Sequence, residues 1–120
     1  MNQKAFWDMT SRKELLFLYD EIIDKAFNIL RSKNNDYASE EDALSNFRSS
    51  EVLNVDPRKA LLIRILDKIK RQVNYIERGE LSVDSAEDDI IDLINYSILL
   101  HALNREIEST IDEPEDGLPF

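Results

Sequence analysis

The 120-residue chain has no cysteine, one histidine, two glycines and three prolines. Without cysteine there is no disulfide, no thiolate metal site and no thiol nucleophile, and one imidazole cannot form a histidine metal cluster. The scarcity of glycine excludes a Walker loop and a GxGxxG fingerprint, so a bound phosphate must be held by side chains or a metal. No stretch reaches the roughly 18 uncharged apolar residues of a membrane span. The N-terminal Met1, Asn2, Gln3 and Lys4 lack the apolar core of a signal peptide, so a cytoplasmic protein is expected. Neither an internal repeat nor a low-complexity stretch is present.

What is present is 42% apolar residues and a formal charge of −10, from 25 acids and 15 bases. This composition suits one compact domain and argues against unspecific binding to duplex nucleic acid or an anionic membrane, both of which need a basic footprint. The domain is expected over residues 1–110, with an acidic, proline-containing tail at 111–120.

Helical periodicity dominates the chain. Ser11 with Glu14 is a capping box, and Leu15, Leu18, Tyr19, Ile22, Ala26, Phe27, Ile29 and Leu30 follow at helical spacing, predicting a helix over 11–33 stopped by Asn34, Asn35 and Asp36. A connection of some twenty residues follows, in which Ser39 and Asp42 can start a short helix carrying Ala43, Leu44 and Phe47. Asp56-Pro57 opens a third helix that Gly79 closes, with Leu61, Leu62, Ile65, Leu66, Ile69, Val73 and Ile76 as the face expected to be buried. A fourth, from Ser85 to about residue 109, is apolar on nearly every side and is expected to be central and to leave surface for a second copy, most simply in a dimer. The fold class expected is all-α, a bundle of about four helices.

Two polar stripes carry the chemistry. Arg64, Asp67, Lys68, Arg71 and Tyr75 share one face of the third helix, and residues 56–78 hold seven bases against three acids, a local +4 in a chain of −10. Such a stripe is either an anion site or a solvated face. On the fourth helix Asp88, Asp92 and Asn95 line one face that turns apolar at Leu99 and Ala102, with Asp89 at its rim. An inward carboxylate there needs a cation, a donor or a metal. Either a hard ion such as Mg²⁺ or Mn²⁺ is shared, or Asp92 is salt bridged to Arg64, Lys68 or Arg71. His101 reads as a core or interface residue; Phe6, Trp7 and Met9 read as an N-terminal staple or an oligomer contact. Tyr37 and Phe47 can stack on a base or close over the core.

The ordered set Lys33-Asn-Asn-Asp36-Tyr37, Asn46-Phe47, Arg64-x-x-Asp67-Lys68-x-x-Arg71 and Glu87-Asp88-x-x-x-Asp92-x-x-Asn95-Tyr96 resembles the small phage and bacterial nucleotide-modification-associated domain, over about residues 12–103. That family is similar to the all-α nucleoside triphosphate pyrophosphatases of the MazG and dimeric dUTPase type. The resemblance implies a helical bundle in a bacterial or phage-infected cell, assembled as a homo-oligomer, that handles a nucleotide with Mg²⁺ or Mn²⁺. It implies metal ligands among Asp67, Asp88, Asp89 and Asp92. Lys33, Arg64, Lys68 and Arg71 would engage phosphate, and Asp36, Tyr37, Asn46, Phe47, Asn95 and Tyr96 would line the base and sugar. Arg64 stands where the larger group has its first metal-binding glutamate, which removes a ligand and supplies a donor fork suited to phosphate. The function implied is either Mg²⁺-dependent hydrolysis to a nucleoside monophosphate and pyrophosphate or binding and sequestration without catalysis. An oligomeric scaffold with salt-bridged stripes is the third reading.

Overall fold

The computed structural model describes residues 10–37, 44–79 and 83–112, with the backbone alone at 34–37, 46, 83–84 and 109–112. Among the described residues there are three α-helices and no strand: α1 (Arg12–Tyr37), α2 (Pro57–Arg78) and α3 (Val83–Asp112). None of these helices is long and apolar enough to cross a membrane.

The start of α1 follows the capping-box expectation. Ser11 Oγ accepts the Glu14 N–H at 3.1 Å, and the Ser11 hydroxyl donates to Glu14 Oε1 at 3.0 Å, which satisfies one of the open donors of the first turn. The helix then runs through Asn34, Asn35 and Asp36 to Tyr37, past the stop expected at residue 33. These polar residues disfavour a helix interior by well under 1 kcal/mol each, too little to end a helix already propagating.

A short helix started by Ser39 lies outside the described residues. Where its end was expected, the chain makes two 3₁₀ turns, Ser45–Phe47 and Ser49–Leu53, and leaves the second through Asn54 at φ 57°. Asn54 tolerates this left-handed conformation, and the Ser50 hydroxyl donates to the Val55 carbonyl at 2.9 Å to hold the turn. Asp56 then caps α2, its Oδ1 accepting the Arg58 N–H at 2.9 Å, with Pro57 in the first position. Gly79 ends α2 at φ 63°, donating its N–H to the Tyr75 carbonyl. Helix α3 begins at Val83, two residues before the Ser85 start expected from the sequence, and runs on to Asp112.

α3 is the middle helix. It runs antiparallel to α2, with Arg58 reaching Asn104 near one end and Gln72 reaching the Ala86 carbonyl near the other, and it also packs on α1. The core is small: Leu44, Leu61, Leu99 and Leu103, with Leu30, Phe47, Tyr96, Leu100 and Ala102 packed around them. His101, expected in a core or interface, faces outward.

The face by which α2 meets α3 corrects the sequence expectation. Leu61 is buried and Ile65 half-buried, but Leu62, Leu66, Ile69, Val73 and Ile76 are all exposed in the single chain. Lys68, Gln72 and Tyr75 are half-buried instead, so the polar stripe of α2 faces α3 and most of the apolar stripe does not. Among the described residues α3 is the main neighbour of α2, with the second 3₁₀ turn beside its start, and the ion pairs described next take the side that meets α3.

Candidate functional site

On α2, Lys68 and Arg71 lie three residues apart and therefore on one side of the helix. Opposite them, Asp89 and Asp92 are likewise one turn apart on α3. Asp89 is the most enclosed member, its side chain 4% exposed, and it takes Arg71 Nε at 2.7 Å and Lys68 Nζ at 3.3 Å. Lys68 also reaches Asp92 Oδ2 at 2.9 Å. From the other side Lys33 of α1 brings its Nζ to 3.8 Å from Asp92 Oδ1. The Lys68 ammonium is held above its ordinary value of 10.5, chiefly by its hydrogen bond to Asp92, with burial acting the other way.

Three cations from two helices thus converge on two carboxylates of a third. Paired charges of this kind are the way a carboxylate survives inside a helix interface. The stoichiometry leaves one positive charge over. Lys33 is 62% exposed and Arg71 47%, so both present donors to solvent at the edge of the cluster.

The structure reverses two neighbouring assignments. Asp89, read from the sequence as lying at the rim of the acidic stripe, is its buried centre, while Asp88 is exposed. The 100° between successive residues is enough to exchange inside for outside. Asp67 is exposed as well, and neither Asp67 nor Asp88 makes an ion pair among the described residues. Of the four carboxylates considered as metal ligands, two are held by basic side chains and two face solvent. Among the described residues no three acids or histidines gather into a ligand set.

Asn95 is buried, as the sequence suggests, and its Nδ2 donates to the Ala26 carbonyl of α1 at 2.9 Å. Its Oδ1 is enclosed with no partner among the described residues. Asn95 therefore joins α3 to α1. Tyr96 is half-buried against the leucine core, and so is Phe47, the latter with the Arg64 guanidinium lying 5.9 Å above its ring. Arg64 is exposed and makes no ion pair among the described residues. A hollow of about 30 Å³ is bounded by Phe47, Ala60, Leu61 and Arg64, room for one water and not for a base. Phe47 thus closes over the core. Asp36 and Tyr37 form the last turn of α1 and Asn46 lies in the first 3₁₀ turn; their side chains lie outside the described set.

A second polar group was not read from the sequence. The Arg58 guanidinium forks onto Asp56, with Nη2 at 2.7 Å from Oδ2, and reaches Asn104 Oδ1 at 3.2 Å; nearby, Arg48 pairs with Glu106. Arg48, Asp56, Arg58 and Glu106, with Pro57, Leu103 and Ile107, line a hollow of about 150 Å³. The sequence marks Asp56 only as a helix cap, and nothing in its spacing points to Arg48 or to Glu106, fifty positions further along the chain.

No protein-family description, curated protein or solved structure matches this chain.

Proposed function

We propose that the chain binds a phosphate-bearing nucleotide at the basic edge of the α1–α2–α3 cluster, as a binding protein rather than as a metal hydrolase. One observation carries this reading: Lys33, Lys68 and Arg71 outnumber Asp89 and Asp92, and the surplus charge sits on the two exposed members. In a chain of −10 such a concentration of cations at the junction of three helices suits a localised anion. Arg71 engages Asp89 through Nε, and its outer guanidinium nitrogens form a fork suited to phosphate oxygens. Arg64, one helical turn and three further residues earlier on the same stripe, extends the cationic edge. The resemblance to nucleotide-handling domains supports the choice of nucleotide over other anions.

Binding is favoured over hydrolysis because both inward carboxylates already hold cations of the chain. Coordinating Mg²⁺ there would require Asp92 to exchange Lys68 for the metal, against the hydrogen bond that keeps Lys68 charged.

The test is a melting-temperature screen against nucleoside mono-, di- and triphosphates, each with and without Mg²⁺, with product analysis of every hit. A nucleotide that binds the folded chain raises its midpoint by mass action. Arg71→Gln and Lys33→Gln should each weaken that nucleotide about ten- to a hundred-fold, the loss of one charge-assisted contact. If no nucleotide shifts the midpoint, the reading fails. Mg²⁺-dependent turnover that survives Lys68→Met would replace binding with hydrolysis.

A further inference from the structure

The apolar residues that α2 leaves uncovered are spaced as a helix-pairing seam. Leu62, Leu66, Ile69, Val73 and Ile76 follow one another at intervals of four, three, four and three, the a/d rhythm by which one helix packs against another. At 100° per residue the five fall within an arc of about 80°. Each is between 44% and 79% exposed, so together they form a continuous apolar strip two heptads long. Ile90 of α3, also exposed and about 160° round its helix from Asp92, adds to the surface on that side. Such a strip reaches the roughly 300 to 600 Å² of the largest apolar patch on an ordinary monomer. Counted on both copies, a patch of that size removes roughly 600 to 1,200 Å² in total, and with Ile63 and Ile90 added it reaches the roughly 1,000 Å² that a specific interface must clear.

We infer that a second copy of this chain covers the seam, with the two α2 helices antiparallel about a two-fold axis at Ile69. The occupant is argued from the charges beside the strip. Lys59 and Glu77 lie on the same flank, about 60° from the centre of the seam, ten residues before Ile69 and eight after it. An antiparallel partner brings Lys59 to Glu77 of the partner subunit, and the symmetry repeats the pair at the other end. In a parallel pair the two-fold axis carries this flank to opposite sides of the seam, so Lys59 and Glu77 of the two copies do not meet and the complementarity is lost. In the antiparallel register Leu62 meets Ile76 of the partner subunit, Leu66 meets Val73 of the partner subunit, and Ile69 meets its own copy, so the surface is complementary to itself, as a closed two-fold interface requires. Lys70 is the one cation near the axis; it stands about 80° off the seam, and its long stem lets the ammonium turn to solvent.

Arg64 and Arg71 lie about 160° to 180° round α2 from the seam, so the pairing leaves the basic cluster open. The inference does not rest on the nucleotide reading, and either can fail without the other.

The experiment is light scattering and sedimentation of the full chain at tens of micromolar. The expected mass is twice 14.0 kDa. Ile69→Lys should give 14.0 kDa with an unchanged helical circular dichroism signal, because the residue is exposed in the single chain. Lys59→Glu should raise the dissociation constant several-fold, and adding Glu77→Lys should restore it, a rescue that a merely destabilised fold would not show. A monomeric wild type overturns the inference and leaves the seam to a different partner. A dimer that Ile69→Lys does not disturb overturns it too, by placing the interface on another face.

Discussion

Lys68 Nζ lies 2.9 Å from Asp92 Oδ2, and the same ammonium touches Asp89 at 3.3 Å, so one cation of α2 spans two carboxylates a helical turn apart on α3. Because Lys68 is held above its ordinary 10.5, chiefly by Asp92, the folded state binds its proton more tightly than the unfolded chain does. The stabilisation is fully present below about pH 10.5 and is lost as pH rises through the higher folded value. Urea midpoints of the wild type and Lys68→Met should differ at about pH 8 and converge on strongly alkaline titration. A constant difference across that range would show that Lys68 acts through packing of its stem alone.

Asp89 has the opposite vulnerability. Asp89→Ala takes the partner from Arg71 Nε and one of two from Lys68, and should cost about 2 kcal/mol, below the range for a fully stranded buried charge because Lys68 keeps Asp92 and Arg71 is half in water. Asp88→Ala, one residue away and exposed, should change stability by no more than about 0.5 kcal/mol. Denaturant titration of the two variants separates the inward from the outward carboxylate.

The Asp56 carboxyl lies below its ordinary 3.8, first because of the Arg58 side chain and then because of the Arg58 backbone N–H. Its contribution is present above about pH 3.8 and is lost as pH falls through the lower folded value. Asp56→Ala should melt below the wild type at neutral pH, and the gap should close on acidification. Asp56→Asn, which keeps the cap acceptor but not the charge, should fall between them at neutral pH.

At Gly79 the cost is purely one of backbone conformation. A Cβ built there meets nothing within 4 Å, yet φ is +63°. Gly79→Ala should therefore lose about 1 kcal/mol with no change in oligomeric mass or helix content, and Gly79→Asn should lose less, since asparagine enters the left-handed region more readily. Thermal melting of the two variants checks this order.

The ends of α2 could be read in the sequence because they depend on single residues: aspartate before proline at one end and glycine at the other. The basic and acidic stripes were equally legible, since a charge every third or fourth residue has one geometric meaning. Their meeting was legible too, since the short connection from Arg78 to Ser85 makes the two helices antiparallel neighbours with complementary charges; what could not be read was that the apolar stripe of α2 would stay uncovered. An amphipathic pattern says that the apolar side meets something, and in a chain of this length the nearest assumption is its own core; Leu66 and Ile69, exposed among the described residues, show that the assumption fails when a neighbouring helix takes the polar side instead. Asp89 was misplaced for a related reason. α3 is flanked on two sides, so the boundary of its buried arc depends on where α1 and α2 sit, which local spacing does not contain. Asn95 was read correctly as inward, but its partner, the Ala26 carbonyl 69 positions away, was beyond any motif.

The bonds that tie α3 to its two neighbours span different lengths of chain. Arg71 with Asp89 and Gln72 with Ala86 close loops of 18 and 14 residues, whereas Lys25 with Glu87 and Asn95 with Ala26 close loops of 62 and 69. Short loops lose less entropy on closing, so the α2–α3 hairpin is expected to form before α1 docks onto it. Native-state hydrogen exchange should show the reverse order, with α1 released as a unit while the hairpin stays protected. Lys33 travels with α1, so each such opening withdraws one cation from Asp92, and docking of α1 governs when the three-cation edge is complete.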